Sequence, residues 1–403
     1  MPGICRLIGT VKHYDWGGTS FIPDLLNKEN STRRPFAEYW LGAHQQDECR
    51  IIWPDGRSAF LKEYLANHPE LLGTAVQKEF DQLPYLLKVL DVNEMLSIQV
   101  HPSKASAEKE FARENAEGIP LQAANRNYKD PNHKPELMVA CSDFWLLHGF
   151  KQEREIKKIL NLVPELNNLL PVYINNGYQG LYRYVMEMPQ DDVNRLLEPL
   201  CRRIIPLYNE GKLNKNQESF WAARAANYFE QPGKIDRGIF SIYFFNLLQL
   251  KKGEGIFQGA GLPHAYLEGQ NVEIMASSDN VLRGGLTNKH VDVKELLKHV
   301  KCEAANIDVL EGESSNKERI YKTNVSDFLL SSIELGEDES YVFTPFTAEI
   351  ILLLSGRALL KCESQVINLR KGEPAAICFP GLPVSMLSSE KTTVFKASVP
   401  RPA

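Results

Sequence analysis

Four residues of this 403-residue chain have the types and spacing to clasp one divalent cation: Gln99, His101, Glu136 and His264. Gln99 and His101 stand two apart in Leu96-Ser-Ile-Gln-Val-His-Pro102, which alternates as a β-strand does. Successive strand side chains point to opposite faces, so Ser97, Gln99 and His101 share one face and Leu96, Ile98 and Val100 the other. Pro102 then stops the ladder, as expected at a strand end or cavity rim. Glu136 follows an Asn-His-Lys-Pro loop and precedes Leu137-Met-Val, which puts a carboxylate at a strand mouth. His264 opens a strand whose next same-face residue is Tyr266. Two neutral imidazoles, a carboxylate and an amide oxygen suit zinc. The same thiolate-free set also suits manganese, iron or cobalt. Spacing does not by itself unite the four, because two strand histidines 163 positions apart can equally be hydrogen-bonded core residues.

Around these ligand types lies a shell of charge. Lys134 precedes Glu136 by two residues, and Glu273, Asp279, Arg283 and Lys289 follow His264 within 25 residues. Lys88 sits in the otherwise apolar Leu83-Pro-Tyr-Leu-Leu-Lys-Val-Leu-Asp91. Arg283 suits an anionic substrate or an enediolate, and Lys88, Lys134 and Lys289 suit phosphate or proton transfer. Gly284 and Gly285 let the backbone approach a ligand closely. Any one of these charges reads as a solvated surface group; together they describe a cation-lined cleft.

The elements that must position these residues are mostly strands. Residues 1 to about 100 read as short strands punctuated by turns, with a helix from Leu61 limited by Pro69. In Arg34 to His44, Glu38 and Trp40 share a face. Ser106 to Asn115 reads as an exposed helix. From about Gln152 to Glu230 the apolar period becomes helical, with Ile156, Leu160 and Val163 on one face and Val193, Leu196, Leu197 and Leu200 on another. No cluster of ligand types falls there, so a structural role is expected. Strands resume at Ile239, a short helix covers Val291 to Val300, and short strands at near-regular spacing run from about Lys317, the rhythm of a sandwich or jelly roll.

Composition narrows the classes. Apolar (43%) and charged (24%) fractions are those of a globular protein of two or three domains. A net charge of −5 without a basic stretch argues against nucleic acid as a partner. The seven cysteines form no CxxC pair, which argues against a zinc finger or a disulfide framework and for free thiols in a reducing compartment. No signal peptide or membrane-length apolar run is apparent, so a cytoplasmic protein that does not contact membrane is expected.

Seven stretches taken together resemble the type I, zinc-dependent mannose-6-phosphate isomerases. They are Tyr14-Asp-Trp-Gly17, Glu38-Tyr-Trp-Leu-Gly42, Leu83-Pro-Tyr-Leu-Leu-Lys88, Ser97-Ile-Gln-Val-His-Pro102, Asn132-His-Lys-Pro-Glu136, Gly261-Leu-Pro-His-Ala-Tyr266 and Ser278-Asp-Asn-Val-Leu-Arg-Gly-Gly-Leu-Thr287. The resemblance implies a mainly β chain: a cupin-type β-barrel catalytic domain (1–150 and 236–310), an inserted α-helical domain (151–235) and a second, cupin-like C-terminal jelly roll (311–403). It implies that Gln99, His101, Glu136 and His264 hold one zinc ion and that Arg283 is the catalytic arginine. It implies reversible interconversion of mannose 6-phosphate and fructose 6-phosphate by a monomer.

Such an isomerisation removes the C2 proton and returns one at C1 through a cis-enediol(ate), whose charge a metal ion and Arg283 would share. Lys134 is the candidate base, with Glu273 and Asp279 as alternatives. Ser97, Lys88 and Lys289 are the candidate phosphate contacts, and Tyr266 and Trp16 the cleft wall. Two rival classes are an iron oxygenase on the same ligand set and a sugar-binding protein without turnover. Neither accounts for the lysines and arginine together with the seven stretches.

Overall fold

The computed structural model describes residues 3–45 and 48–401. Three sheets carry the architecture. A ten-stranded sheet has as its spine Phe245–Leu250, Phe144–Phe150, His264–Ala276, Tyr85–Val92, Glu38–Gly42 and Thr10–Lys12, in that order. The short strands Gln99–Val100 and Leu282–Arg283, and the pair Glu136–Ala140 and Gly255–Gln258, attach to the same spine. A nine-stranded sheet is built mainly from the C-terminal region, and a four-stranded sheet closes over its far side.

Alternation along the strands assigns every layer. In Tyr85–Val92, Tyr85, Leu87 and Val89 pack outward with Leu7, Ile51, Ile350, Leu352 and Ile377 of the nine-stranded sheet. The opposite face sends Leu86, Lys88 and Leu90 inward. On His264–Ala276, Val272 and Ile274 join the same outward layer while Glu273 and Met275 point inward. Burial on both faces explains why these strands are apolar almost throughout, with charge only where the inner face meets the cleft. The other face of the nine-stranded sheet packs Ile333, Ile351, Leu353 and Val394 against Tyr341, Phe343, Leu360 and Met386 of the four-stranded sheet.

Between the strands Phe144–Phe150 and Phe245–Leu250 the chain forms the helices Glu153–Leu162, Leu170–Glu187, Gln190–Asn209, Glu218–Tyr228 and Gly238–Phe244. Their apolar faces share one core with Ile98, Val100, Leu147, Leu282 and Leu286, so the helices buttress the outer side of the strands that bear Gln99 and Arg283.

Three expectations change here. Residues 239–244 are helix, not strand: all seven residues of Gly238–Phe244 are buried, and an apolar run buried all round has no period to reveal its type. The strand Ile4–Ile8 pairs with Ala375–Cys378, so the N-terminal strand lies in the sheet of the C-terminal region. Finally, only Gln99–Val100 is regular strand in the opening motif, and Leu96 turns toward the cleft beside Ser97.

Candidate metal centre and active-site cleft

Antiparallel register brings the candidate residues together. Gln99 stands directly opposite His264 on one side and Arg283 on the other, so three side chains from three neighbouring strands share the inner face. Glu136 stands opposite Met275 of the same long strand that opens with His264. His101 follows the short strand and is fully buried beneath this row.

His101, Glu136 and His264 converge until their donor atoms all lie within 4.8 Å of one another. His101 Nε2 is 3.4 Å from Glu136 Oε1, and His264 Nε2 is 3.2 Å from Glu136 Oε2. Each ring's other nitrogen meets a main-chain oxygen: His101 Nδ1 that of Asn280 at 2.8 Å, and His264 Nδ1 that of Leu262 at 3.0 Å. A carbonyl only accepts, so Nδ1 carries the proton and Nε2 presents a lone pair. Both Nε2 atoms are buried without a hydrogen-bond partner. Two lone pairs aimed at one carboxylate are mutually repulsive unless a cation lies between them. The donor set therefore fits a metal ion, and the carbonyls of Asn280 and Leu262 are the outer partners that fix the ring orientation.

The protonation states agree. Burial, assisted by Lys134, lowers His101 to about 4 despite the nearby Glu136, which keeps the ring neutral. Burial alone would raise Glu136; Lys134, 3.0 Å away, and the two imidazoles hold it well below the usual carboxylate range. Gln99, opposite His264, lines the cavity above the cluster.

The cluster opens into a cavity of about 350 Å³. Every candidate residue lines it except His101, which lies below: Trp16, Lys88, Ser97, Gln99, Lys134, Glu136, His264, Tyr266, Glu273, Asp279, Arg283 and Lys289.

Comparison with known proteins agrees with this arrangement. Residues 4–153 match the catalytic domain of type I phosphomannose isomerase. Mannose-6-phosphate isomerase of Escherichia coli is 36% identical over 388 residues, 94% of this chain and 96% of the relative. The chain belongs to the mannose-6-phosphate isomerase family. The mouse relative is 31% identical over 99% of this chain and 97% of its own length. A crystal structure of the Salmonella typhimurium mannose 6-phosphate isomerase bound to substrate (fructose 6-phosphate) and zinc superposes with a TM-score of 0.88 at 31% identity, covering 99% of this chain and all of that one.

The cleft of this family member carries details that its sequence does not disclose. Lys88, expected among the phosphate contacts, is buried between two carboxylates, 3.4 Å from both Glu38 Oε2 and Glu273 Oε1. Burial would lower its pKa, but the two carboxylates raise it above the ordinary lysine range. Its charge is already matched. Register explains this, since Trp40, Lys88 and Glu273 are opposite one another on three adjacent strands. Glu38, two residues from Trp40, accepts a hydrogen bond from the indole Nε1. Glu273 accepts one from Tyr266 Oη at 2.8 Å, and burial with Glu136 nearby raises its carboxyl.

Asp279, an alternative base, lies at the cleft edge with Oδ1 3.5 Å from His44 Nε2. The helical region contributes to the cleft after all, because Tyr228 and Phe229 at a helix end form part of its wall with Tyr14. Nothing in their local sequence marks them.

Arg283 and Lys289 form a separate group. Arg283 is half-buried and Lys289 exposed at the cleft rim, and among the described residues neither has a carboxylate within ion-pair distance. Burial lowers Arg283, while crowding at the cleft mouth and the Arg283 charge lower Lys289. Two cations that repel each other at the cleft rim, neither engaged in an ion pair, suit an anion.

Proposed function

We propose that this protein interconverts mannose 6-phosphate and fructose 6-phosphate with one zinc ion held by Gln99, His101, Glu136 and His264. The observation that carries the reading is the buried pair of unpartnered Nε2 atoms facing Glu136, at the floor of a cleft whose rim holds the uncompensated Arg283 and Lys289. Zinc bound there would stabilise, as a Lewis acid, the negative charge that develops on the sugar oxygens.

The chain's own groups divide the remaining work. Arg283 faces the same developing charge with donors that no carboxylate engages. Lys289 and Ser97 hold the phosphate at the rim, while Trp16 and Tyr266 wall the cleft and limit water. Lys134 moves the proton between C2 and C1. It is favoured over Glu273 because both Glu273 oxygens already have partners, Tyr266 and Lys88, whereas the one carboxylate beside Lys134, Glu136 at 3.0 Å, would be engaged by the bound metal. Glu273 and Lys88 act together as a neutralised wall that keeps the inner face polar without excess charge.

The sheet surrounding the cleft is read as a cupin-type barrel interrupted by a helical domain at 151–235 and followed by a second cupin-like jelly roll from 311, with the N-terminal strand added to the latter's sheet. The protein is read as a cytoplasmic monomer acting on small sugar phosphates, without nucleic-acid or membrane partners; among the described residues no helix is long and apolar enough to cross a membrane.

Isomerisation of mannose 6-phosphate by the purified chain, before and after chelation and zinc add-back, tests the proposal. Activity lost with chelator and restored by zinc is expected. A folded, zinc-loaded protein without turnover would sink it.

A further inference from the structure

A second cavity, of about 540 Å³, opens at one end of the C-terminal sandwich, far in sequence from every residue assigned to the cleft. It is lined by Glu318, Thr323, Tyr341, Glu349, Lys396 and Arg401 among others. Its size is within the range of small-molecule sites, about 300–1,000 Å³.

Part of its polar lining is internally satisfied. Lys396 Nζ lies 2.8 Å from Glu318 Oε1, which also accepts from Ser331 Oγ at 2.5 Å, and Tyr341 Oη donates to Glu318 Oε2. Lys396 also lies over the Phe343 ring, 5.1 Å from its centroid. Lys322, another lining cation, is paired with Glu313 at 2.6 Å.

What remains unmatched is informative. Glu349 is 3% exposed, and its Oε2 has no partner; its Oε1 receives only a 3.4 Å contact from Phe346 N. Thr323 Oγ1 is likewise buried and unpartnered. Arg401, at the mouth, lies over the Phe346 ring and gives one bond, to the Thr344 carbonyl; among the described residues no carboxylate pairs with it. A buried polar group without a partner costs about 1–3 kcal/mol. Two of them beside an open cavity, with a guanidinium that no carboxylate pairs among the described residues, call for a ligand that brings both hydroxyls and negative charge.

We propose that this cavity binds a small polyhydroxylated anion, a sugar phosphate or a sugar acid. Its anionic group meets Arg401 and the free donors of Lys396, and its hydroxyls meet Glu349 and Thr323. The two sources share this chemistry and differ only in whether phosphate or carboxylate faces Arg401.

Titration calorimetry of the full-length, zinc-loaded protein with glucose 1-phosphate and with gluconate tests this. At least one probe is expected to bind once per chain, the phosphate or the carboxylate arm naming the source. Arg401→Ala and Thr323→Val should weaken that binding at least about tenfold, which is about 1.4 kcal/mol, with isomerase turnover unchanged. Arg401 is exposed, so its replacement leaves the fold intact and keeps the test decisive. Absence of binding by both probes would overturn the proposal. So would equal affinity in wild type and both variants, which would place the probe in the catalytic cleft. Inorganic phosphate binding as tightly as the hydroxylated probe would overturn the role of Glu349 and Thr323.

Discussion

His101 Nδ1 lies 2.8 Å from the main-chain oxygen of Asn280, and this contact decides which nitrogen faces the metal position. Asn280 is itself held on both sides. Its Oδ1 accepts from Lys129 N at 2.7 Å, and its Nδ2 donates to the carbonyls of Asp130 at 2.7 Å and Asn132 at 2.8 Å. Ser278 Oγ and the Asp279 amide both donate to Asp130 as well. The Ser-Asp-Asn run is thus a clamp that ties the loop before Glu136 to the loop before Arg283.

The clamp makes Asn280→Ala a test of ring orientation. The substitution removes the side chain's hydrogen bonds to Lys129, Asp130 and Asn132 without touching a ligand. Zinc affinity should fall about 10–100-fold, the usual effect of losing an outer partner of a metal ligand. Chelator competition measures it directly. Unchanged affinity would mean that the main-chain oxygen of residue 280 keeps its place without the side-chain clamp.

Lys88 separates stability from substrate binding. Lys88→Met leaves Glu38 and Glu273 buried without their shared cation, and breaking such a pair costs about 3–5 kcal/mol. A lowered denaturation midpoint is therefore expected even in the absence of substrate. If Lys88→Met melted like the wild type and only raised KM, the enclosed ion-pair reading would be wrong.

Lys289 should behave in the opposite way. It is exposed and unpaired at the rim, so Lys289→Ala should leave the melting temperature within about 1 kcal/mol equivalent of wild type. The proposed phosphate contact predicts a raised KM for mannose 6-phosphate with kcat largely kept. Weaker competitive inhibition by inorganic phosphate would accompany it. A fall in kcat at unchanged KM would instead move Lys289 toward the reacting carbons.

These contrasts also mark what the sequence could and could not disclose. Gln99, His101, Glu136 and His264 stood out as candidates because strand alternation fixes a face and the seven stretches fix a family. Their convergence was not, since it depends on the pairing of Gln99 with His264 across 165 positions. Lys88 looked like a free cation because its partners, Glu38 and Glu273, come from other strands in register with it. Tyr228 and Phe229 were invisible because a helix end reaching the cleft leaves no local pattern. The helix at Gly238–Phe244 was misread because complete burial removes the polar positions that would show its period.

The pH response of the metal-free protein is the last consequence, and its sign follows from two histidines. Burial lowers both His101 and His148 from 6.5 to about 4. Between those values the unfolded chain binds protons that the folded chain does not, so folding stability rises with pH across this window and falls on acidification. Each histidine contributes up to about 1.4 kcal/mol per pH unit. Glu349, whose carboxyl burial raises to about 7, acts in the opposite direction over the same range, so the test uses chelated Glu349→Gln protein, whose urea midpoints should drop between about pH 6.5 and about pH 4.5. His148→Asn should make that slope shallower by one histidine's share. With zinc present the loss should be larger, because protons then compete with the metal for the same imidazole nitrogens. A metal-free stability profile that is flat through this range would contradict the neutral, Nε2-presenting rings on which the metal assignment rests.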